Sequence, residues 1–259
     1  MTPGPKICYH SAADGQQVRS VSVALCCLNE RPNLPVVIQR VKALEKHLGD
    51  RLREVVVVDG GSTDGSWELL EQTASEWKKL KLVRQQPPMG YGSGYRQSVL
   101  ACSGEWIATC DADLNYDLTE VTRMLPLLSE NDLVVANPFL NGAKAWLGPS
   151  RLFLTHSVAL LYRLATAGRG KGTVFTPILR VGRAELLQEA APQSNGFTAS
   201  AEFMMRVYLT TDARVTEMPI SVYRRGAGTS KLRKFRTVLA HLRLLGRVAA
   251  FRMRLRKGF

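Results

Sequence analysis

Three short apolar runs, each ending on carboxylates or amides, constrain this chain most. They are Val21 to Cys27 (VSVALCC) before Asn29-Glu30, Glu54 to Asp59 (EVVVVD), and Glu105 to Cys110 before Asp111-Ala112-Asp113. β-Branched and small apolar side chains at this density read as buried strands. Leu34 to Leu48, with Asn33 as N-cap and Gly49 as stop, and Ser66 to about Lys79 carry helical periodicity between them. Apolar strands alternating with amphipathic helices specify an α/β fold, with a mostly parallel central sheet and helices on both faces. Ligands bind such sheets beyond the carboxyl ends of the strands. The polar strand ends are therefore expected to meet at one rim.

The rest of the chain extends this pattern. Strands are expected at Leu80 to Arg84 and Asp132 to Ala136. Helices are expected at Tyr95 to Ala101 and Leu118 to Ser129. Beyond Asn137 the spacing predicts helices over Ser150 to Leu164, Arg183 to Ala190 and Ala199 to Leu209. Extended segments are expected at Thr173 to Val181, Arg214 to Glu217 and Ile220 to Tyr223.

In an extended segment, residues i and i+2 point to one side, so Asp111 and Asp113 can aim at a single point. Two anions so close repel unless a cation or donor network lies between them. A hard divalent cation, Mg²⁺ or Mn²⁺, sharing its shell with substrate phosphates is the natural occupant. A solvated acidic turn is the plain alternative. Acids at three strand ends on one rim argue against it.

Gly90-Tyr91-Gly92-Ser93-Gly94 stands before a helix with Arg96 in its first turn. Such a segment lets backbone approach an anion. The spacing is not G-x-G-x-x-G and no Gly-Lys-Ser/Thr follows, which argues against dinucleotide and P-loop sites. Arg224 to Lys231 is a basic, hydroxyl-bearing loop with two glycines, suited to closing over phosphate or to linking the tail.

The formal net charge is +13, but it is unevenly placed. Residues 231–259 hold ten Lys or Arg and no acid, which leaves the preceding chain near +3. The tail from Arg233 reads as a basic amphipathic helix, with Phe235, Val238, Leu239, Leu242, Leu245 and Ala249 at helical spacing. An anionic membrane surface, protein packing and nucleic acid are its candidate partners. Few tail aromatics and no nucleic-acid module in the body speak against nucleic acid. Residues 1–20 read as a mobile polar arm without a charged-then-apolar leader. Five cysteines without C-x-x-C spacing imply a reduced, cytoplasmic protein.

Taken together, Leu28-Asn29-Glu30-Arg31-x-Asn33, Val58-Asp59-Gly60-Gly61-Ser62-Thr63-Asp64-Gly65, Gly90-x-Gly92-x-x-x-Arg96 and Asp111-Ala112-Asp113-Leu114 resemble family 2 glycosyltransferases of the GT-A fold. Gly196-Phe197 with Glu202, Glu217-x-Pro219-Ile220 and Arg225-x-x-Gly228-x-Ser230-Lys231 narrow the resemblance to dolichyl-phosphate and polyprenyl-phosphate mannose or glucose synthases. It spans roughly Val21 to Leu232.

The resemblance implies a catalytic domain over 21–232, with a nucleotide-sugar half at 21–136 and an acceptor half at 137–232. The basic tail, 233–259, follows. Asn29, Glu30 and Asp59 would hold base and ribose, with Arg96 and Asp111 near the nucleotide. Asp111 and Asp113 would flank the metal, joined by Asn115 where a glutamine is usual. Arg225 and Lys231 would stabilise the departing diphosphate. Ser230, Arg151 and Thr155 would hold the acceptor phosphate. The expected reaction is inverting transfer of a sugar, mannose first, from a nucleotide diphosphate sugar (GDP-mannose, or a UDP-sugar) to a polyprenyl phosphate. The protein would lie peripherally at the cytoplasmic face of the membrane.

Departures from the family pattern cluster on the acceptor side. Asp59-Gly60 replaces Asp-Asp, Ala136-Asn137-Pro138 replaces Gly-Ser-Arg, and Val174 to Arg180 replaces Asp-x-x-Ser-Gly-Phe-Arg. Hydroxyl-acceptor relatives commonly carry Glu-Asp where Glu202-Phe203 stands. A phosphate needs no protein base, whereas a hydroxyl would, and Glu202 could then serve. Transfer to a hydroxyl is the alternative enzyme. A non-catalytic nucleotide-sugar-binding membrane adaptor is the alternative of another class.

Overall fold

Val21–Cys27 forms strand β1 at the centre of one sheet. The computed structural model describes residues 18–145, 149–166, 172–223 and 234–252. Among them, β2 (Leu52–Asp59), β3 (Leu80–Arg84), β4 (Trp106–Asp111), β5 (Leu133–Asn137), β6 (Arg180–Arg183) and β7 (Val215–Pro219) complete a seven-stranded sheet of order β3-β2-β1-β4-β6-β5-β7. All pairings are parallel except those of β6, which runs against both β4 and β5. The mostly parallel sheet expected from the sequence is the one observed.

The central strands alternate between two cores, as a period of two requires. Val21, Val23, Leu25 and Cys27 of β1 enter one cluster and Ala24 enters the other. The first is covered by helices α1 (Leu34–Leu48), α2 (Ser66–Glu76) and the short α4 (Val121–Met124). Helices α3 (Tyr91–Leu100), α6 (Ala184–Glu189) and α7 (Ala199–Thr210) cover the second. Helices α5 (Pro149–Ala165) and α8 (Lys234–Arg252) extend that second layer. Each buried Val or Leu contributes about 1.5–3 kcal/mol, so the alternation fixes the register and the level of the strand ends. Cys27 pairs with Asp59, and Cys26 pairs with Asp111. The carboxyl ends of β1, β2 and β4 therefore finish side by side.

Several elements differ from expectation for local reasons. The stretch 118–129 is one α-turn between two 3-10 segments, because Pro126 lacks the N–H that a continuous helix needs. Asn33 stands at the N-cap of α1 in helical conformation without capping; its amide donates to Glu30 Oε2 at 2.6 Å instead. The expected strand over 173–181 shrinks to β6, and that over 220–223 to a single bridge between Ala145 and Val222.

The basic helix α8 is packed on the body. Leu244 and Val248 are buried, and Leu245 and Phe251 are half-buried against the second core. His241 shares a hydrogen bond with Tyr162 of α5. Val238, Leu239 and Leu242, which the sequence placed on one apolar stripe with Leu245, face solvent.

Candidate active site

Two loops at the carboxyl ends of β1 and β2 are knitted together by the residues expected to hold the nucleotide. Asp59 is fully buried, and its Oδ2 accepts from the N–H groups of Gly61 and Ser62 at 3.0 and 2.9 Å. Its Oδ1 accepts from the Ser62 hydroxyl, whose oxygen in turn accepts from Asn29 N at 2.8 Å. Asn29 Oδ1 accepts from Thr63 N at 2.8 Å. The N–H of Glu30 donates to Ser66 Oγ, and Ser66 and Arg31 close on Asp64. Burial alone would raise the Asp64 carboxyl, but the hydrogen bonds from Ser66 and Arg31 outweigh it and hold it below its usual range. Asn29, Glu30 and Asp59 are thus brought together at one rim, Asn29 and Asp59 through their side chains and Glu30 through its N–H.

Asn29 (φ 52°) and Leu114 (φ 62°) are the two non-glycine residues with positive φ among the described residues. For leucine this costs roughly 1–2 kcal/mol, and strain of this kind clusters at functional rims. Both stand just past a strand end, Asn29 after β1 and Leu114 after β4. Leu114 turns the chain directly after Asp113.

At the end of β4, Asp113 is buried, with Oδ1 accepting from Asn115 N at 3.1 Å and Oδ2 from Asn115 Nδ2 at 2.6 Å. The amide nitrogen of Asn115 thus orients Asp113. Burial and then the charge of Asp111 raise the Tyr91 hydroxyl well above its usual range. The thiol of Cys110 is raised by burial and by both aspartates, and those of Cys27 and Cys102 are pushed up to about 12, so these cysteines remain thiols. Two carboxylates and an amide on one turn are hard oxygen donors, a set that fits Mg²⁺ or Mn²⁺ completed by phosphate oxygens.

The glycine-rich segment packs closely against a neighbouring loop. Gly92 and Gly94 lie inside the first turn of α3. The N–H of Gly92 donates to Asn195 O at 2.9 Å. A Cβ on Gly92 would stand 2.0 Å from Ser194 O, and one on Gly90 2.6 Å from Asn195 O. These glycines admit a neighbouring loop, and Arg96 fastens it through Pro192 O (2.7 Å), Gln193 O (3.3 Å) and Asn195 Oδ1 (3.2 Å). Arg96 therefore directs three of its N–H donors at residues 192–195.

Glu202 of α7 holds the same loop from the other side. Its carboxylate is fully buried and accepts from Gln193 N and Ser194 N, each at 3.0 Å, and from the Ser194 hydroxyl. Arg247 of α8 donates to Oε1 at 3.3 Å. Burial alone would raise this carboxyl, but the Ser194 and Gln193 hydrogen bonds and the Arg247 charge outweigh it and leave it below its usual range. A carboxylate so engaged is held as the anion by the loop it fastens.

Beyond β5 the chain is organised by residues that the sequence marked as motif or departure without giving them a role. Asn137 Nδ2 donates to Glu217 Oε2 and Thr173 Oγ1, and Glu217 also accepts from the N–H groups of Thr173 and Val174. Arg180 is fully buried on β6, opposite Thr109 of β4. Its Nη2 donates to Phe175 O, Ser200 O and Ser200 Oγ, and its guanidinium lies 4.7 Å over the Phe203 ring. Arg180, the one charged residue in the run 174–181, stands in the stretch already noted as a departure from the family pattern. Thr155 lies half-buried on α5. The side chain of Arg151, and all of Arg225, Ser230 and Lys231, fall outside the described residues. The chain leads into that basic segment from Tyr223, whose N–H donates to Asn115 O at 2.8 Å.

The family model "Glycosyl transferase family 2" matches residues 22–190, more than half of the chain. An undecaprenyl-phosphate 4-deoxy-4-formamido-L-arabinose transferase of Pseudomonas savastanoi pv. phaseolicola is 35% identical over 124 residues, covering 46% of this chain and 35% of that protein. A dolichol-phosphate mannosyltransferase of Pyrococcus furiosus is 24% identical over 239 residues, covering 88% and 63%. The chain thus spans about a third of the first relative's length and less than two thirds of the second's. Among solved structures, glucosyl-3-phosphoglycerate synthase from Mycobacterium tuberculosis in complex with Mn²⁺, UDP and phosphoglyceric acid shares the fold, with a TM-score of 0.64 at 20% identity, covering 90% of this chain and 78% of that one. The matched segment contains the strand ends, the aspartate pair and the glycine-rich turn described above, and the chain belongs to glycosyl transferase family 2.

Proposed function

We propose that this chain catalyses metal-dependent, inverting transfer of a sugar from a nucleotide diphosphate sugar to a polyprenyl phosphate. Mannose from GDP-mannose is the first candidate, by likeness to the dolichol-phosphate mannosyltransferase, and a UDP-sugar is the second. The observation that carries the reading is one junction: Asn115 holds Asp113 through its amide and Tyr223 through its carbonyl. The candidate metal corner is thereby joined to the chain that leads into Arg225, Ser230 and Lys231.

Asp111 and Asp113, with Asn115, would hold the cation. When bound, Mg²⁺ or Mn²⁺ supplies charge against the leaving diphosphate. The Asn29–Ser62–Asp59 platform fixes the shape of the nucleotide seat. Arg225 and Lys231 add cationic donors for the diphosphate. Thr155, Arg151 and Ser230 are the proposed partners of the acceptor phosphate. A phosphate monoester, with a second pKa near 6, is largely dianionic at neutral pH and needs alignment more than deprotonation. The engagement of Glu202 supports this over a hydroxyl acceptor. The protein would work peripherally at the cytoplasmic membrane face; no helix among the described residues is long and apolar enough to cross a membrane.

The test is nucleotide diphosphate release in Mn²⁺ or Mg²⁺, with and without polyprenyl phosphate. Release that requires both the metal and the lipid phosphate is expected. Release driven instead by saccharide hydroxyls would overturn the acceptor assignment.

A further inference from the structure

Helices α5 and α8 lie side by side, with the Tyr162 and His241 rings 5.8 Å apart and hydrogen-bonded. Each buries one side, through Ala159 and Tyr162 on α5 and through Leu244 and Val248 on α8. The opposite sides repeat one pattern. Leu160, Leu161 and Leu164 are 57%, 43% and 65% exposed, and Val238, Leu239 and Leu242 are 39%, 39% and 54% exposed. Both sets are spaced i, i+1, i+4, so each forms a single patch on the outer side of its helix. Six large aliphatic side chains on two adjacent helices are more than the scatter of single exposed residues found on soluble surfaces.

The charge around them has one sign. Neither helix contains Asp or Glu, while α5 carries two arginines and α8 five Lys or Arg. Arg163 and Arg243 are exposed beside the leucines. Long cationic side chains around an apolar patch suit phosphate headgroups over acyl chains. A second copy of this chain would set like charges against each other.

We propose that α5 and the first half of α8 form one docking surface for an anionic lipid bilayer. This rests on the membrane placement in the function proposed above and moves the contact from the tail alone to a two-helix face. It also sets a geometry for the acceptor. Thr155 lies nine residues before Leu164, about 13 Å along α5, so one helix would link lipid contact to the proposed phosphate site.

The test is cosedimentation of the full chain with vesicles of phosphatidylcholine alone or with one third phosphatidylglycerol. The parent and two double variants, Leu160→Ser with Leu161→Ser and Leu239→Ser with Leu242→Ser, are compared at low and high salt. The parent is expected to prefer anionic vesicles and to weaken with salt. Each variant should bind them about tenfold less or worse, while keeping the parent's circular dichroism and melting temperature. Parent-like binding by the α5 variant would overturn the proposal, as would equal binding of the parent to neutral vesicles. So would a solution dimer of the parent that either variant dissociates. Transfer to detergent-solubilised polyprenyl phosphate is measured in parallel. Its absence in a parent that binds vesicles counts against the enzyme reading alone.

Discussion

Arg247 Nη2 lies 3.3 Å from Glu202 Oε1, so helix α8 is tied to a fully buried carboxylate of the body. The same carboxylate accepts from the backbone of Gln193 and Ser194. That loop in turn accepts from Arg96 and packs on Gly92. A continuous set of contacts thus joins α8 to the first turn of α3.

Glu202→Gln should act on the fold. The amide turns donors toward the Ser194 N–H and leaves Arg247 without a counter-charge, at a cost of about 2 kcal/mol or more. Urea unfolding at neutral pH measures it. At low temperature, the folded variant should keep most of its transfer rate. A variant with parent-like stability and abolished transfer would restore the base role.

Gly92→Ala tests what the glycine-rich turn is for. Its methyl would meet Ser194 O and the Ala199 side chain, and overpacking of this kind costs roughly 1–3 kcal/mol. Melting temperature should fall clearly in Gly92→Ala and in Arg96→Ala, with little change in nucleotide affinity for whatever remains folded. Selective loss of nucleotide binding at parent stability would return the segment to anion binding.

Asn115→Ala should weaken the cation site without unfolding the chain. Its amide orients Asp113, and removing such a supporting bond typically costs about 10–100-fold in metal affinity. Titrating Mn²⁺ in the presence of nucleotide diphosphate, followed by calorimetry, reads this directly. Asp113→Asn should abolish the metal response and leave the melting temperature close to the parent's.

Acid stability should trace to Glu54. It is buried at the start of β2 and bonded by Lys81, Ser103 and Ser22. Burial alone would raise its pKa, but these partners outweigh it and bring it to about 2. A depressed folded pKa gives stability that is full above the ordinary glutamate range and is lost as pH falls through it toward about 2. Glu202, also held low, adds to the same limb. Urea midpoints measured from about pH 5 downward should fall less steeply in Glu54→Gln than in the parent, from a lower starting value.

The sheet was legible in the sequence because β-branched runs have one way to bury both faces, and the strand ends followed from it. The aspartate pair was legible for the same reason, since acids closing an apolar strand sit at its rim. Side-chain engagement was not legible. Glu202 and Arg96 look like catalytic and anion-binding groups by type and position, and only the approach of residues 192–195 shows how their polar atoms are used. The tail helix misled in a related way. Its helical period was clear, but which face docks depends on Tyr162 and the second core, both distant in sequence.

The most direct measurement is the mass of the lipid product. Polyprenyl phosphate is incubated with Mn²⁺ and a panel of nucleotide sugars, with the parent and with Asp113→Asn. The account predicts a gain of one sugar residue on the lipid phosphate, with inverted anomeric configuration, from the parent alone. An unchanged lipid alongside a glycosylated hydroxyl acceptor would contradict it, as would equal product from Asp113→Asn.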